Sequence, residues 1–104
     1  MKEGGRLMKP LTQPMFYVLL SLREKRHGYE IMQFVEELTQ GRVVIGPGTL
    51  YALLSRFEKD GQIDLVRKEQ NKRVYQLTER GEKLLNGEIH RLEEMLEDAK
   101  RCER

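Results

Sequence analysis

The sequence predicts a mostly helical fold with one small β-hairpin. Apolar residues recur at helical spacing in four segments, and two short runs alternate apolar and polar residues around a polar turn. Glycine or proline stands at most of the boundaries between these segments. The chain has 104 residues, which is the size of a single domain.

The first two helices follow a polar, glycine-containing arm at residues 1–11. Helix one is predicted over about residues 12–25, with Thr12 or Gln13 at its cap. Helix two is predicted over about residues 29–39, before a glycine that suits the left-handed conformation after a helix end.

The third helix is predicted over residues 48–60, and Gly61 ends it. The β-branched run "RVVIG" at 42–46 precedes it and predicts either a short strand or an extended linker. Helical spacing gives this helix a buried face, consisting of Leu50, Leu53, Leu54 and Phe57.

The hairpin is predicted at 62–78, from strands at 62–68 and 73–78 joined by a polar turn. Thr78 then caps a final helix that runs to about residue 102. This order of three short helices, a hairpin and a long helix is typical of a winged helix-turn-helix followed by a C-terminal dimerisation helix. The predicted organisation is an arm at 1–11, a DNA-binding domain at 12–78 and a dimerisation helix at 79–104.

Charge is unevenly distributed along the chain. Residues 1–77 hold thirteen Lys/Arg against nine Asp/Glu, and residues 78–104 hold six against eight. A basic body fits a polyanionic partner, although an uneven scatter of surface charge remains an alternative. The only cysteine, Cys102, cannot form an intramolecular disulfide, and the apolar run at 15–22 is too short to span a bilayer. We therefore expect a cytoplasmic protein with no membrane association.

The outer face of the third helix is the first candidate site. Gly48 allows close approach to a phosphate, and Thr49 can donate a hydroxyl from the first turn. Ala52 is small enough to meet a thymine methyl, while Ser55 and Arg56 can donate hydrogen bonds to bases. The alternative is an ordinary helix with a solvated outer face.

The hairpin tip is the second candidate site, because cations cluster there: Arg67, Lys68, Lys72 and Arg73. A basic tip beside a recognition helix suits the flanking DNA backbone or minor groove, whereas the alternative is a solvated turn. The two features occurring together favour binding of double-stranded DNA. Tyr29 and Tyr51 are either tyrosines at the rim of the core or donors to phosphates.

The last helix carries an apolar seam at spacings of four and three, made by Leu85, Ile89, Leu92, Leu96 and Ala99. A helix of this size is roughly 35 Å long, which exceeds what a small body can cover. The seam therefore favours a homodimer, and packing against the chain's own body is the alternative.

Motifs of catalysis and of cofactor or metal binding are missing from the sequence. His27 and His90 are far apart and neither has a partner at ligand spacing. No nucleophile motif and no glycine-rich phosphate loop occurs. We expect a protein that is not an enzyme and holds no cofactor or metal.

Three motifs, "HGYEI", "GPGTLY" and "YQLTERG", stand in this order within residues 15–86. The segment resembles the PadR family of bacterial transcriptional regulators, in its shorter-tailed branch. The resemblance implies a winged helix-turn-helix repressor that dimerises through its C-terminal helix. It also implies DNA contacts by Tyr29, Thr49, Tyr51, Lys72 and Arg73.

The sequence departs from the family pattern in three places. Ala52 stands where many members have proline, the wing lacks the usual glycine and run of arginines, and the chain has no tryptophan. The last departure means that the aromatic drug pocket of one branch member does not carry over.

Two functions from different classes remain. The favoured one is a homodimeric repressor that reads a palindromic operator, with helix 48–60 in the major groove and hairpin 62–78 as wing. The alternative is a winged-helix interaction module that dimerises without binding DNA. A small-molecule effector at the dimer seam is compatible with the first function, but no residue identifies its chemistry.

Overall fold

The computed structural model describes residues 10–103. In chain order its elements are α1 (Gln13–Ser21), β1 (Arg26–His27), α2 (Gly28–Leu38), α3 (Pro47–Lys59), β2 (Ile63–Glu69), β3 (Lys72–Leu77) and α4 (Glu79–Arg101). The mostly helical class with a small hairpin is confirmed. Residues 1–9 of the predicted arm and Arg104 lie outside the described part of the chain.

Helix α1 ends four residues before the predicted boundary at 25. Its last turn tightens, because the backbone N–H groups of Leu22 and Arg23 donate to carbonyls three residues earlier. The chain then extends into β1, where Arg26 pairs with Tyr75 and His27 with Val74. Strand β1 was not predicted, and it turns the hairpin into a three-stranded antiparallel sheet of order β1-β3-β2.

The run at 42–46 is an extended linker, since no strand forms there. Val43 and Ile45 are buried, while Val44 is 67% exposed. The hydroxyl of Thr39 accepts from the backbone N–H of Val43 at 3.0 Å and so fixes where the linker leaves α2. The linker thereby brings the start of α3 against the core.

One hydrophobic core joins all the helices to the sheet. Its fully buried side chains include Leu19, Leu22, Ile31, Val35, Leu50, Leu54, Phe57, Ile63 and Leu85. The predicted buried face of the third helix is confirmed, with Leu53 partly buried at its edge. The opposite face of α3 is left exposed as a result.

The hairpin turn is tighter than predicted. Gln70 and Asn71 are its two turn residues, and both have positive φ, 48° and 69°. Positive φ at both central positions is the geometry of a two-residue turn whose twist matches antiparallel strands. Strand β2 also contains an irregularity between Leu65 and Arg67, where Val66 has no partner in the register.

Helix α4 docks directly on the chain that leaves α3. The Thr78 hydroxyl accepts from the Gly81 N–H at 3.1 Å and donates to the carbonyl of Gly61 at 2.7 Å. Gly81 is buried, and a β-carbon added there would collide with the carbonyl oxygen of Gln62. Only glycine allows this approach of the first turn of α4.

Gly81→Ala is expected to destabilise the fold by about 1–3 kcal/mol, because the clash is with backbone and cannot be relieved by a side-chain rotation. Gly87→Ala is the matched control, since a β-carbon at Gly87 meets nothing within 4 Å. That control is expected to be up to about 1 kcal/mol more stable than wild type. Denaturant titration at one protein concentration measures both, and a Gly81→Ala protein as stable as wild type would contradict this account of the docking.

Among residues 10–103, no helix is both long and apolar enough to cross a membrane.

Candidate nucleic-acid interface

Helix α3 presents the predicted outer face to solvent. Thr49, Ala52, Ser55 and Arg56 are all exposed, as is Gly48 in the first turn. The observed helix begins at Pro47, and its N-cap, Gly46, makes no side-chain capping bond. The N–H groups of the first turn are therefore left for solvent or for an anion.

A cleft joins the second turn of α3, through Tyr51, to the start of α2 and to the wing tip. It is lined by His27, Gly28, Tyr29, Tyr51, Asn71, Lys72, Arg73 and Tyr75. Four of these residues were predicted from sequence as DNA contacts, namely Tyr29, Tyr51, Lys72 and Arg73. Tyr29 is 64% and Tyr51 56% exposed, so both rings are accessible to a ligand.

The remaining lining residues were missed by sequence reasoning. Gly28 and His27 come from the β1–α2 junction and Asn71 from the hairpin turn, so nothing in the local sequence links them to Tyr51. No sequence signal marked Gly28, because it stands just before the predicted start of helix two at residue 29, where a glycine is common.

The irregularity at Val66 decides which face of the wing the two cations of β2, Arg67 and Lys68, occupy. Leu65 pairs with Tyr75, but after the extra residue Arg67 pairs with Val74 and Lys68 with Arg73. Directly opposed residues share a face of the sheet, so Lys68 and Arg73 lie on the face that carries Tyr75. Arg67 and Lys72 share the opposite face with Val74.

The cations of the wing differ in their partners. Lys68 and Arg73 are like charges directly opposite each other, which is unfavourable unless an anion is present. Within residues 10–103, neither of them forms an ion pair. Arg67 does, because its Nε lies 2.7 Å from Oε2 of Glu69. On α3, Arg56 reaches Asp60 only at 4.0 Å, and the two side chains are 65% and 46% exposed.

The apolar seam of α4 divides into two parts. Leu85 is fully buried in the core of its own chain and Ile89 is partly buried against that core. The prediction of Leu85 as a dimer-interface residue is therefore corrected, since this side chain has no surface left for a partner. Leu92 is 40% and Leu96 57% exposed, and Ala99 is exposed beyond them.

A buried carboxylate interrupts the apolar seam at the point where α4 extends beyond the core of the protein. Glu88 is only 8% exposed and accepts two hydrogen bonds from Arg91, at 3.0 Å to Nε and 2.6 Å to Nη2. The hydrogen bonds from Arg91 lower the pKa of Glu88 against the opposing effect of burial. The stripe beyond it, formed by Leu92, Met95 (53% exposed), Leu96 and Ala99, has no cover within the described chain.

No cluster of three or more His, Cys, Asp or Glu suited to a metal ion occurs in residues 10–103. Cys102 is exposed and unpaired with any other cysteine. Within residues 10–103, sequence and geometry together single out the cleft, the exposed face of α3 and the uncovered stripe of α4.

A family model and a curated relative agree on the class of protein to which this chain is similar. The family model described as "Transcriptional regulator PadR-like family" matches residues 18–87. The curated protein "Transcriptional regulator YqjI" of Escherichia coli is 33% identical over 81 residues. That match covers 77% of this chain but only 39% of the E. coli protein, so this chain spans about two fifths of its relative's length.

Solved structures share the fold. A transcriptional regulator from Clostridium thermocellum superposes with a TM-score of 0.71 at 25% identity, covering 86% of this chain and 88% of that one. A PadR-like transcription factor from Bacteroides fragilis gives 0.65 at 27% identity, covering 86% and 87%. RosR of H. salinarum gives 0.65 at 20% identity over 89% and 96%, which supports the fold alone.

Proposed function

Because this chain belongs to the PadR-like family of transcriptional regulators, which are not enzymes, we propose that it is a homodimeric repressor that binds a palindromic operator. In this proposal α3 enters the major groove and the β2–β3 hairpin is the wing. The observation that supports it best is the cleft, which combines Tyr51 of α3, the start of α2 and the wing tip into one surface. A DNA-binding regulator acts in the cytoplasm, and that is where we place it.

Each part of this surface suits a different part of DNA. Ala52, Ser55 and Arg56 lie on the exposed face of α3 and would read base edges. Gly48 and Thr49 lie in its uncapped first turn and would meet a phosphate through the backbone and a hydroxyl. Tyr29 and Tyr51, from two helices, would donate hydroxyls to the backbone that passes between them.

The wing would contact the DNA backbone rather than the bases. The opposed pair of Lys68 and Arg73 gains most from an adjacent phosphate, because that phosphate relieves their mutual repulsion. Lys72 shares the opposite face with Arg67, but it stands beside the turn and lines the cleft together with Arg73. Arg67 contributes less, since Glu69 already neutralises it.

The partner of the uncovered stripe on α4 would be a second copy of the chain. A two-fold pairing brings Leu92 and Leu96 of both copies together, with Ile89 at the edge and Ala99 allowing close approach. The pairing holds two copies of α3 for two half-sites about one helical turn apart. In this organisation residues 12–78 form the DNA-binding domain and residues 79–104 the dimerisation helix.

Fluorescence anisotropy with DNA from the protein's own promoter tests the proposal, using a scrambled duplex of equal length and composition as control. We expect tighter binding to the promoter at two salt concentrations, with affinity for both duplexes falling as salt rises. The protein should also lower transcription from that promoter in vitro. No binding to either duplex would favour the interaction module that dimerises without DNA.

Arg73→Ala is expected to weaken binding to the promoter and the scrambled duplex by about the same factor. The slope of log affinity against log salt concentration should fall by about one, which is the effect of losing one phosphate contact. Anisotropy titrations over a range of salt measure both quantities.

Arg67→Ala is the matched control for that variant, because it removes the same side chain from the same hairpin where Glu69 already pairs with it. The slope of log affinity against log salt concentration should change clearly less for Arg67→Ala than for Arg73→Ala. A change in the preferred sequence on Arg73→Ala, or equal slopes for the two variants, would contradict the assigned role of the wing.

A further inference from the structure

We propose that Gly28 is a positioning residue for Tyr51: because Gly28 has no side chain, the tyrosine ring lies against the first turn of α2 and its hydroxyl is held at the DNA-facing cleft. This inference rests on the proposed function and assigns a new residue to it. A β-carbon added at Gly28 would lie 2.5 Å from the hydroxyl oxygen of Tyr51, 3.0 Å from its Cζ and 3.1 Å from its Cε1. No alanine could occupy position 28 with the ring in this place.

Space, and not backbone conformation, is the reason for a glycine here. The glycines with positive φ in the described chain are Gly41 and Gly61, so Gly28 has a backbone that any residue adopts. Gly28 is the first residue of α2, and alanine forms helices more readily than glycine does. The backbone at position 28 therefore does not require a glycine, and the ring that packs on it explains why one is there.

Hydrogen bonds and strand pairing hold the surface under the ring. His27 caps α2, since its Nδ1 accepts from the Glu30 N–H at 3.4 Å while its own N–H donates to the Glu30 carboxylate at 2.9 Å. His27 also pairs with Val74 in the sheet, which ties this corner to the strand that carries Arg73. Tyr51 follows Leu50, which is fully buried. The ring thus spans two fixed points, one on α3 and one at the corner between α2 and the wing.

This arrangement sets the distance between the Tyr51 hydroxyl and the wing cations. A tyrosine that is 56% exposed would otherwise sample several rotamers in solvent. Held against Gly28, it presents its hydroxyl to the same cleft as Arg73. A backbone phosphate in the cleft can then meet both groups without first ordering the tyrosine.

Gly28→Ala would displace the ring while leaving the fold in place, because the clashing atoms are the outer end of a half-exposed side chain. We expect about a tenfold loss of affinity for the promoter duplex, the size of one hydrogen bond to a charged group. The melting temperature should stay close to that of wild type, since the displaced ring is half-exposed and can turn into solvent.

A double-mutant cycle on the full chain separates a positioning role from a merely structural one. Affinity for the promoter duplex and melting temperature are measured for Gly28→Ala, Tyr51→Ala and the double variant. Tyr51→Ala removes the ring, so Gly28→Ala should cause no further loss of affinity in that background. Gly87→Ala, a glycine whose β-carbon would meet nothing within 4 Å, is the matched control and should bind like wild type.

The outcomes are distinguishable. Wild-type affinity for Gly28→Ala, or the same tenfold loss in the Tyr51→Ala background, would overturn the inference while leaving the proposed function intact. If Gly28→Ala instead melts at a much lower temperature, removal of the ring by Tyr51→Ala should restore the melting temperature, and failure to do so would also overturn it. A wild-type protein that binds no DNA would defeat the proposed function itself.

Discussion

Ala52→Glu is expected to abolish specific DNA binding, with a loss of affinity for the promoter duplex of about 100-fold or more. Ala52 lies on the exposed face of α3, one residue beyond Tyr51 and opposite the buried face of Leu50 and Leu54. A carboxylate placed there would stand against base edges and phosphates, where a like-charge contact costs several kcal/mol. The fold should be unaffected, because glutamate is a good helix former at an exposed position.

Gly87→Glu is the matched control, since it adds the same charge at an exposed site of α4 that faces open space. It should bind the promoter within about twofold of wild type, the loss reflecting only net charge. Circular dichroism shows whether the two variants are folded, and fluorescence anisotropy measures their affinity for the promoter duplex. A folded Ala52→Glu protein that binds as well as Gly87→Glu would remove α3 from the groove.

Replacing both Leu92 and Leu96 by aspartate is expected to give a folded monomer with much weaker DNA binding. In a two-fold pairing the substitutions would bring like charges together in a desolvated interface, which is strongly unfavourable. Each protomer alone would contact DNA with one short helix and one wing. We expect a loss of promoter affinity of about 100-fold or more, since one of two half-site contacts is gone.

The control places two new carboxylates on the other side of the same helix, as Gly87→Asp together with His90→Asp, both at exposed positions. Sedimentation velocity should show a dimer for wild type and for this control, and a monomer for the leucine variant. A leucine variant that still sediments as a dimer would show that the stripe is not the interface.

The helical part of the fold could be predicted because its signal is local. The spacing of Leu50, Leu54 and Phe57 defines the buried face of α3 and, by exclusion, the exposed face. The same spacing on α4 predicts an apolar stripe, but it does not show how far along that stripe the chain's own core extends. Leu85 belongs to the core and Leu92 does not, and that division depends on the size of the folded body.

The non-local parts could not be predicted in the same way. Strand β1 has two residues, and its partners in β3 are about fifty positions away, so its own sequence carries too little pattern. The extra residue Val66 shifts the register of β2 by one. Arg67 and Lys68 therefore lie on the opposite faces from those that strict alternation predicts. The contact between Gly28 and Tyr51 joins two helices and was likewise visible only in the structure.

The central claim is that two copies of α3, held by α4, read a symmetric site in the major groove. Protection of guanine N7 from methylation on the promoter duplex tests it most directly, because N7 lies in the major groove. The account predicts two clusters of protected guanines, related by two-fold symmetry and one helical turn or a small multiple of it apart. A single cluster, or binding with no protected guanine in a duplex whose site contains them, would contradict it.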